Sequence, residues 1–292
     1  IRGIINGTTN YILTRMAHHG TDFSQALKEA QERGYAEADP TNDVEGIDAV
    51  YKLAILASLA FHLPFNPGGV YRQGISGLSP QDFRYAQELG YAIKPLAIAS
   101  LEDGAIQARV HPALVPVDHM LAKVDGVYNA VEVDGSLCGK VLFHGMGAGR
   151  EPTTSAVVGD VIEAARRMTL QPDLAANGSR EAETEAPLPT PSTGGNGEAF
   201  SVRSIDGLTR KYYLRLRVAD RPGVLAQIAR LLGDGEISIA SVLQKDTNLA
   251  EQTAEIVITT HPAREASVQE ALRSMANLEV VREVNSLLRI EE

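Results

Sequence analysis

A stretch that cannot form a packed element divides this chain in two, and it constrains the fold more than any other feature. It reads ETEAPLPTPSTGGNGEAF, which is rich in Pro, Gly, Ser and Thr and poor in large apolar side chains. Such a composition has neither helical nor strand periodicity and is typical of linkers. We therefore predict two units, residues 1–170 and 209–292, joined by a linker over residues 171–208. A chain of 292 residues with 44% hydrophobic content can supply both units with a core.

The second unit has a regular order of elements. Runs such as KYYLRLRV and AEIVITTH are typical of strands, whereas VLAQIARLL and AREASVQEALRSM have the spacing of amphipathic helices. The full order is strand, helix, strand, strand, helix, strand. This order predicts a ferredoxin-like βαββαβ sandwich with both helices on one face of the sheet.

The first unit opens with helical patterns over residues 8–18, 22–33 and 44–61. We expect Thr8 or Thr9 to cap the first helix and Asn42 or Asp43 to cap the third. The apolar residues of the third pattern cover most of its circumference, which indicates burial.

Residues 91–144 change to short β-branched runs separated by polar turns, at residues 102–104 and 134–135. A helix should follow from Pro152 to about residue 168. The first unit is thus expected to be a mixed α+β domain, and the whole chain falls in the α/β (α+β) class.

Composition excludes several classes of partner. The net charge is −10, with 27 Lys and Arg against 37 Asp and Glu, and no dense basic run is present. Nucleic acids and anionic membranes both require a basic surface, so we expect neither as a partner. The sequence also lacks an apolar run of about 18 residues, the length that spans a membrane. Cys138 is the single cysteine, which excludes a disulfide within the chain and fits a cytoplasmic protein. Because the sequence begins with Ile1, we expect it to start partway through a longer gene product.

The segment GYAEADPTNDVEGIDAVYK carries an unusual density of acidic side chains, namely Glu37, Asp39, Asp43, Glu45 and Asp48. Asp48 and Lys52 are four residues apart and share a helix face. One interpretation is a surface ion pair worth about 0.3–0.5 kcal/mol. The other is an acidic pocket that holds a cation beside an amine able to move protons. Apolar neighbours on both sides of the pair favour partial burial, with the carboxylates keeping Lys52 a charged donor.

Two long motifs carry a family resemblance. GIINGTTNYILTRM and GYAEADPTNDVEGIDAVYKLAILASLAF resemble the substrate domain of homoserine dehydrogenases, and GMGAGREPTTSAVVGDV is similar to a later segment of that family. The resemblance covers residues 1 to about 168. It implies an oxidoreductase that uses NAD or NADP to interconvert L-aspartate 4-semialdehyde and L-homoserine, in the biosynthesis of threonine, methionine and isoleucine.

The resemblance assigns roles to four residues of the acidic segment. Lys52 matches the lysine that transfers a proton to or from the substrate oxygen, and Asp48 is grouped with it as catalytic. Asp48 and Glu37 match carboxylates that bind the amino alcohol, and Asp43 matches a further partner of its ammonium. A zwitterionic amino acid needs these groups, because its ammonium needs carboxylates and its reacting oxygen needs a proton donor. Asp39 and Glu45 stay open, since a solvated loop or the first turn of a helix also explains an acid.

Three other residues near the substrate have two interpretations each. Gly7 and Thr8 form a turn before a helix, and the helix start either needs only a cap or receives the substrate carboxylate through backbone N–H groups. Tyr35 lines the substrate pocket or packs against a neighbour.

The cofactor side is represented by glycines. In GMGAGR the G-x-G-x-x-G pattern fails because Arg150 occupies the sixth place. The resemblance nevertheless makes Gly147 and Gly149 cofactor neighbours, with a tight turn as the alternative. Gly34 also matches a position near the cofactor, although a helix stop explains it equally well.

Part of the family's machinery is not expected within these residues. The family carries a Rossmann domain ahead of the first motif, with a glycine fingerprint, a further lysine and a monovalent-cation site. We therefore expect no metal site in this chain and no homoserine oxidation by the 292 residues alone.

The second unit resembles the ACT module through VADRPGVLAQIARLL. That family often binds an amino acid at the turn after its first strand, here Asp220, Arg221, Pro222, Gly223, Val224 and Leu225. Threonine is the effector that the resemblance implies, and paired ACT modules imply a homodimer or homotetramer. A module that only assembles the oligomer is the alternative.

Two classes of function thus compete. One is an allosterically controlled dehydrogenase, and the other is an amino-acid sensor with a relic catalytic domain. The intact set of Glu37, Asp43, Asp48 and Lys52 favours the enzyme. Because a flexible linker transmits little, effector control is expected to pass through the oligomer.

Overall fold

The computed structural model describes residues 1–62, 65–102, 105–170 and 202–292, and the statements below concern these residues. The first unit contains, in chain order, β1 (Arg2–Ile4), α1 (Gly7–His19), α2 (Phe23–Glu32), α3 (Thr41–Val44), α4 (Ile47–Phe61), β2 (Tyr71–Arg72), α5 (Pro80–Glu88), β3 (Tyr91–Glu102), β4 (Ala105–Pro116), β5 (Tyr128–Gly135), β6 (Gly139–Met146) and α6 (Arg150–Leu170). The second contains β7 (Thr209–Ala219), α7 (Val224–Asp234), β8 (Ile239–Asn248), β9 (Thr253–Thr260), β10 (Ala263–Arg264), α8 (Glu265–Ala276) and β11 (Val281–Ile290). The mixed α/β class and the βαββαβ order of the second unit are confirmed.

The two units share one mixed sheet. Its strand order is β6-β5-β1-β3-β4-β11-β7-β9-β8, with β2 beside β4 and β10 beside β7. The junction is the last strand, since β11 is antiparallel to β7 and parallel to β4, where Ile290 lies opposite Leu114. The chain therefore returns to its first unit after completing the second, and a strand joins the units as well as the predicted linker.

The helix ends follow local chemistry, with one correction. Asn6 caps α1, because its Oδ1 accepts a hydrogen bond from Thr9 N at 2.9 Å, and Gly20 ends the helix with a φ of 64°. The cap is thus neither Thr8 nor Thr9, since the helix begins earlier than its apolar pattern indicates. Asp22 caps α2 through Gln25 N at 2.8 Å, as expected for a helix that starts there.

The third predicted helix is interrupted. Instead of one helix over residues 44–61, the chain forms the short α3 and then α4, with Gly46 between them at a φ of 76°. Neither Asn42 nor Asp43 caps a helix, so that prediction was wrong. A Cβ on Gly46 would lie 3.2 Å from the Val110 side chain, so glycine serves both the turn and a close approach to β4.

Helices cover both faces of the sheet. On one face α1, α2 and α5 pack a core that includes strand residues of the second unit, with Met16 and Tyr85 beside Tyr213 and Leu288. On the other face of the second unit α7 and α8 lie together, as predicted, over residues such as Ile256. Each large apolar side chain buried in this way contributes about 1.5–3 kcal/mol.

Some predictions fall outside the described residues. These are residues 171–201 of the linker and the Asp103-Gly104 part of a predicted turn. The last linker residues are described, and there Val202 bridges to Ile106 and a short 3₁₀ helix spans Ile205–Gly207. In the described ranges, no helix combines the length and apolar character needed to cross a bilayer.

Candidate functional site

The acidic cluster forms where the turn after β1 meets the α3–α4 break. The Asn6 side chain reaches across this junction, and its Nδ2 donates to Asp43 Oδ1 at 2.7 Å and to Asp48 Oδ2 at 2.9 Å. Asp43 takes this position because the chain breaks at Gly46 instead of continuing one helix from residue 44. Two of the predicted substrate carboxylates are therefore held side by side.

Lys52 joins the cluster one helical turn after Asp48. Its Nζ lies 2.7 Å from Asp48 Oδ2 and donates to the Ile5 backbone carbonyl at 3.4 Å. The Asp48 side chain is 31% exposed and that of Lys52 49%. The pair is thus only partly buried, because α4 turns residues such as Leu53 toward the core and leaves Lys52 at the edge. The bond to Ile5, the residue after β1, distinguishes this pair from an ordinary ion pair confined to one helix.

The predicted turn residues lie beside the cluster. Thr8 Oγ1 donates to the Tyr35 carbonyl at 2.6 Å, which links the start of α1 to the loop after α2. The Tyr35 ring meets Tyr11 edge-on, with 5.0 Å between centroids, and is 42% exposed. A Cβ on Gly7 would lie 2.8 Å from the Val127 carbonyl oxygen, so packing alone requires glycine there.

The remaining acids of the segment separate into two groups. Glu37 is exposed on the loop, and its backbone carbonyl accepts a hydrogen bond from Gln31 at 3.0 Å. Asp39 accepts hydrogen bonds from Thr41 Oγ1 at 2.6 Å and Thr41 N at 3.1 Å, and these bonds lower the pKa of Asp39. Glu45 accepts a hydrogen bond from Ser76 Oγ at 3.2 Å. Asp39 thus lies on an exposed loop with Thr41 as its local partner, whereas Glu45 follows the last residue of α3 and not the first turn of a helix.

The glycine loop lies next to the substrate turn. Asn129 on β5 separates them, because a Cβ on Gly147 would lie 2.2 Å from Asn129 Nδ2 and one on Gly7 would lie 3.5 Å from Asn129 Oδ1. Asn129 Oδ1 is buried, and no residue in the described part of the chain forms a hydrogen bond with it. Gly149 has a φ of 120° and its carbonyl accepts the Thr153 N–H at the start of α6. Gly147, which leaves no room for a Cβ beside the Asn129 amide, fits a loop that borders a cofactor, whereas Gly34 with a φ of 73° acts as the predicted helix stop.

Sequence reasoning missed three residues beside the cluster. A cavity of about 20 Å³ lies under Asn6 and Asp43, and its other lining residues include Gln73 and His111. Asn6 was visible in the sequence, but its place before Gly7 indicated only a turn. Gln73 and His111 lie on other elements and carried no local signal.

His111 is buried as the neutral imidazole. Burial, and then the charge of Arg289, lower the pKa of His111 to about 3. Its Nδ1 lies 3.0 Å from the Pro112 carbonyl, which can only accept, so Nδ1 carries the proton. The 3.7 Å approach of Nε2 to Glu291 is therefore a contact with a neutral ring and not an ion pair.

A second candidate site lies in the other unit. A cavity of about 420 Å³ is lined by Ala219, Asp220, Arg221, Glu251, Gln252, Glu279 and Arg282. Two of the six predicted effector residues, Asp220 and Arg221, thus face it. The turn ends as expected, with Gly223 at a φ of 88° and α7 beginning at Val224. The mixture of arginines and carboxylates suits a zwitterionic amino acid.

Two protein-family models match this chain. The homoserine dehydrogenase family model matches residues 1–162, and the ACT domain model matches residues 212–280. The chain belongs to the homoserine dehydrogenase family. Homoserine dehydrogenases of Neisseria gonorrhoeae and Mycobacterium tuberculosis are 42% and 43% identical to it, over 100% of this chain and 64% of each relative. The crystal structure of a homoserine dehydrogenase from Thiobacillus denitrificans is 42% identical with a TM-score of 0.88, and covers 100% of this chain and 63% of that one. The chain therefore spans a little under two thirds of the length of these relatives.

In this homoserine dehydrogenase family member, buried ion pairs connect the ACT domain to the first unit. Asp82 on α5 is 0% exposed, and its Oδ1 accepts a hydrogen bond at 2.8 Å from Nε of Arg215 on β7. Glu291, just after β11, accepts hydrogen bonds from Arg109 Nη2 at 2.6 Å and from Arg210 Nε at 3.2 Å. Each carboxylate thus bonds to an arginine across the boundary between the first and the second unit.

Gln73 extends this boundary toward the acidic cluster. Its Oε1 accepts a hydrogen bond from Arg289 Nη1 at 3.1 Å, and its Nε2 donates one to the Leu287 carbonyl at 3.3 Å. The same residue lines the small cavity beneath Asn6 and Asp43. In this homoserine dehydrogenase family member, a single side chain therefore contacts β11 and borders the candidate substrate site.

Proposed function

We propose that the protein is an NAD(P)-dependent homoserine dehydrogenase that interconverts L-aspartate 4-semialdehyde and L-homoserine. The reaction belongs to threonine, methionine and isoleucine biosynthesis. The observation that supports it best is the cluster itself, in which Asp43, Asp48 and Lys52 converge around one asparagine. Family membership supplies the reaction class.

The cluster can perform the proton chemistry. In the reductive direction the Lys52 ammonium gives a proton to the aldehyde oxygen, and in the oxidative direction its amine takes the hydroxyl proton of homoserine. Asp48, at 2.7 Å, orients the Lys52 side chain. Asp43, Asp48 and Glu37 bind the substrate ammonium, and the N–H groups at Gly7 and Thr8 receive its carboxylate.

The nicotinamide cofactor supplies hydride transfer when bound. Within this chain, Gly147 and Gly149 would border it, because their loop lies against the substrate turn through Asn129. Gly34 is a further neighbour by family position.

Replacing Lys52 with alanine in the full-length protein tests the reaction. We expect kcat to fall roughly 100-fold or more, the range for loss of a positioned acid-base group. The matched control is Lys28→Ala, which removes another i,i+4 pair, with Glu32 at 4.0 Å and both side chains largely exposed. The control should keep wild-type kcat. A Lys52→Ala variant with nearly full kcat would leave the surface ion pair as the better interpretation.

We further propose that threonine binds the ACT cavity and inhibits the enzyme. The cavity of about 420 Å³ offers Arg221 and Arg282 to a carboxylate, and Asp220, Glu251 and Glu279 to an ammonium. ACT domains also pair, so the active form is proposed to be a homodimer or homotetramer.

Titration calorimetry with threonine tests the effector site on this chain. Arg282→Ala should weaken threonine binding by about tenfold or more, as expected for losing a hydrogen bond to a charged group. Arg230→Ala is the control, because Arg230 is exposed on α7 and forms an ion pair with Asp234 one helical turn away. Absence of heat and of any thermal shift at millimolar threonine, isoleucine and methionine would leave the domain an assembly module. Threonine binding by a full-length protein that shows no homoserine-dependent reduction of NAD or NADP would instead favour the amino-acid sensor.

A further inference from the structure

We propose that Asn6 is a positioning residue, which sets the two substrate carboxylates and, through Asp48, the Lys52 amine. The proposal deepens the function proposed above and rests on it. It comes from the hydrogen bonds of one buried side chain, which is 6% exposed.

The orientation of the Asn6 amide is determined by its surroundings. Its Oδ1 accepts from Thr9 N at 2.9 Å and from Thr9 Oγ1 at 3.0 Å, and its Nδ2 faces Asp43 and Asp48. The flipped amide would point its oxygen at two carboxylates and its NH₂ at the Thr9 N–H. Ionised carboxylates only accept hydrogen bonds, so the flipped amide would lose its hydrogen bonds to both Asp43 and Asp48.

Both amide hydrogens are used, one for each carboxylate. Nδ2 lies 2.7 Å from Asp43 Oδ1 and 2.9 Å from Asp48 Oδ2. Two carboxylates at the ends of one NH₂ group repel each other, and a shared donor offsets part of that repulsion. Asn6 thus holds together two acids that would otherwise separate.

The effect reaches Lys52 through a single atom. Asp48 Oδ2 accepts both from Asn6 Nδ2 and from Lys52 Nζ, the latter at 2.7 Å. An oxygen fixed by Asn6 therefore fixes the position of the amine. Lys52 also donates to the carbonyl of Ile5, the residue before Asn6, so both of its bonds depend on the same turn.

Helix capping alone does not require asparagine here. Ser and Asp cap helices about as well as Asn, because each offers an oxygen to the N–H of the third helical residue. What they lack is a second group that donates to two acids at once. Capping and positioning can therefore be separated by substitution.

The test is Asn6→Ser and Asn6→Asp in the full-length protein, with kcat and KM for homoserine, KM for the cofactor and Tm. Asn6→Ser keeps the cap, so its Tm should stay within a few degrees of wild type. Asn6→Ser should lower kcat/KM for homoserine roughly 10- to 100-fold, as expected for losing hydrogen bonds to charged groups. In Asn6→Asp, kcat/KM for homoserine should fall further, because the substitution adds a third carboxylate to the cluster. The cofactor KM should not change.

Asn10→Ser is the matched structural control. Asn10 is a buried asparagine of the same helix, and its Nδ2 donates to the backbone carbonyls of Val124, Gly126 and Tyr128. Asn10→Ser removes these hydrogen bonds, so Tm should fall. The KM values for homoserine and for the cofactor should either rise by the same factor or stay unchanged. A homoserine-specific defect in Asn6→Ser alone separates positioning from stability.

A double-mutant cycle tests the route through Asp48. In an Asp48→Ala background, adding Asn6→Ser should lower kcat/KM for homoserine by a further factor of less than about three. The effects of residues that act through one another are not additive. Wild-type kinetics in Asn6→Ser, or full additivity in the cycle, would overturn the proposal.

A crystal structure of Asn6→Ser gives a readout that does not depend on the reaction. The Asp43 and Asp48 carboxylates should have moved apart, and Lys52 Nζ should have left Asp48 Oδ2. Unmoved carboxylates would overturn the role of Asn6 even with an active enzyme. Moved carboxylates in a protein without homoserine dehydrogenase activity would instead refute the proposed function alone.

Discussion

Replacing Asp82 with asparagine should destabilise the protein by breaking the joint between its two domains. Asp82 lies on α5, and its carboxylate accepts Arg215 Nε at 2.8 Å and Arg215 Nη2 at 3.1 Å, besides Ser286 Oγ and Ser79 N. The Arg215 side chain is 5% exposed. Asparagine keeps the shape but turns a neutral amide toward a buried guanidinium.

The magnitude follows from the burial of the remaining charge. Removing one partner of a buried ion pair costs about 3–5 kcal/mol. Arg215 keeps Glu255, which is 2.9 Å away with a side chain 21% exposed, so we expect the lower end, about 3 kcal/mol. For a chain of this size that is a fall in Tm of about 6–12 °C.

The effect should depend on pH. Burial by itself would raise the pKa of Asp82, but the hydrogen bonds and charge of Arg215, with those of Ser286 and Ser79, hold the pKa below its usual value. A lowered carboxyl pKa stabilises the fold above the unfolded value of about 3.9, and this stability is lost as pH falls through the folded pKa. Asp82→Asn should therefore flatten the acid side of the stability curve.

Urea unfolding at several pH values measures both quantities. The control is Asp22→Asn, because Asp22 is an exposed cap of α2 and asparagine caps a helix equally well. Its free energy of unfolding should stay within about 0.5 kcal/mol of wild type. A loss below about 1 kcal/mol in Asp82→Asn, or an equal loss in both variants, would refute this account of the joint.

Two further predictions concern the site and its surroundings. Asp48→Ala in the full-length protein should raise KM for homoserine about tenfold or more, with a smaller change in kcat, because it removes a carboxylate proposed to bind the substrate ammonium; steady-state kinetics measures this, and an unchanged KM contradicts it. His111 has a pKa of about 3 in the folded state, so the unfolded chain binds more protons below about pH 6.5 and stability falls by about 2 kcal/mol between pH 6.5 and pH 5. In His111→Gln that slope should disappear from urea unfolding curves, and an unchanged slope would contradict a neutral buried ring.

Local patterns predicted the elements that depend on near neighbours. The Asp48 and Lys52 spacing gave a pair on one helix face, and the structure has it at 2.7 Å. Asp22 and Gly34 marked the ends of α2 because capping and left-handed turns act within a few residues. The helix α5 was missed, although Ser79 before Pro80 and Asp82 is a capping signature that the sequence already contains.

Contacts between distant residues were not predictable in this way. Pairing of Ile290 with Leu114 joins residues far apart in sequence, and no periodicity records which strand will lie beside β4. The same holds for Asn6, whose partners Asp43 and Asp48 come from another part of the chain. Asparagine before glycine is a strong turn signal, and that local explanation concealed its longer contacts.

The shared sheet changes what effector control requires. A ligand can alter activity only through its different affinities for two states of the protein, and those states must extend from its own site to the substrate. β11 belongs to the sheet of both domains, because it pairs with β4 of the first and with β7 of the second. Gln73 bonds to Arg289 and Leu287 of β11 and borders the cavity under Asn6 and Asp43. A displacement of β11 by a bound amino acid would therefore reach the substrate carboxylates through packed contacts within one chain, without requiring the oligomer as the route.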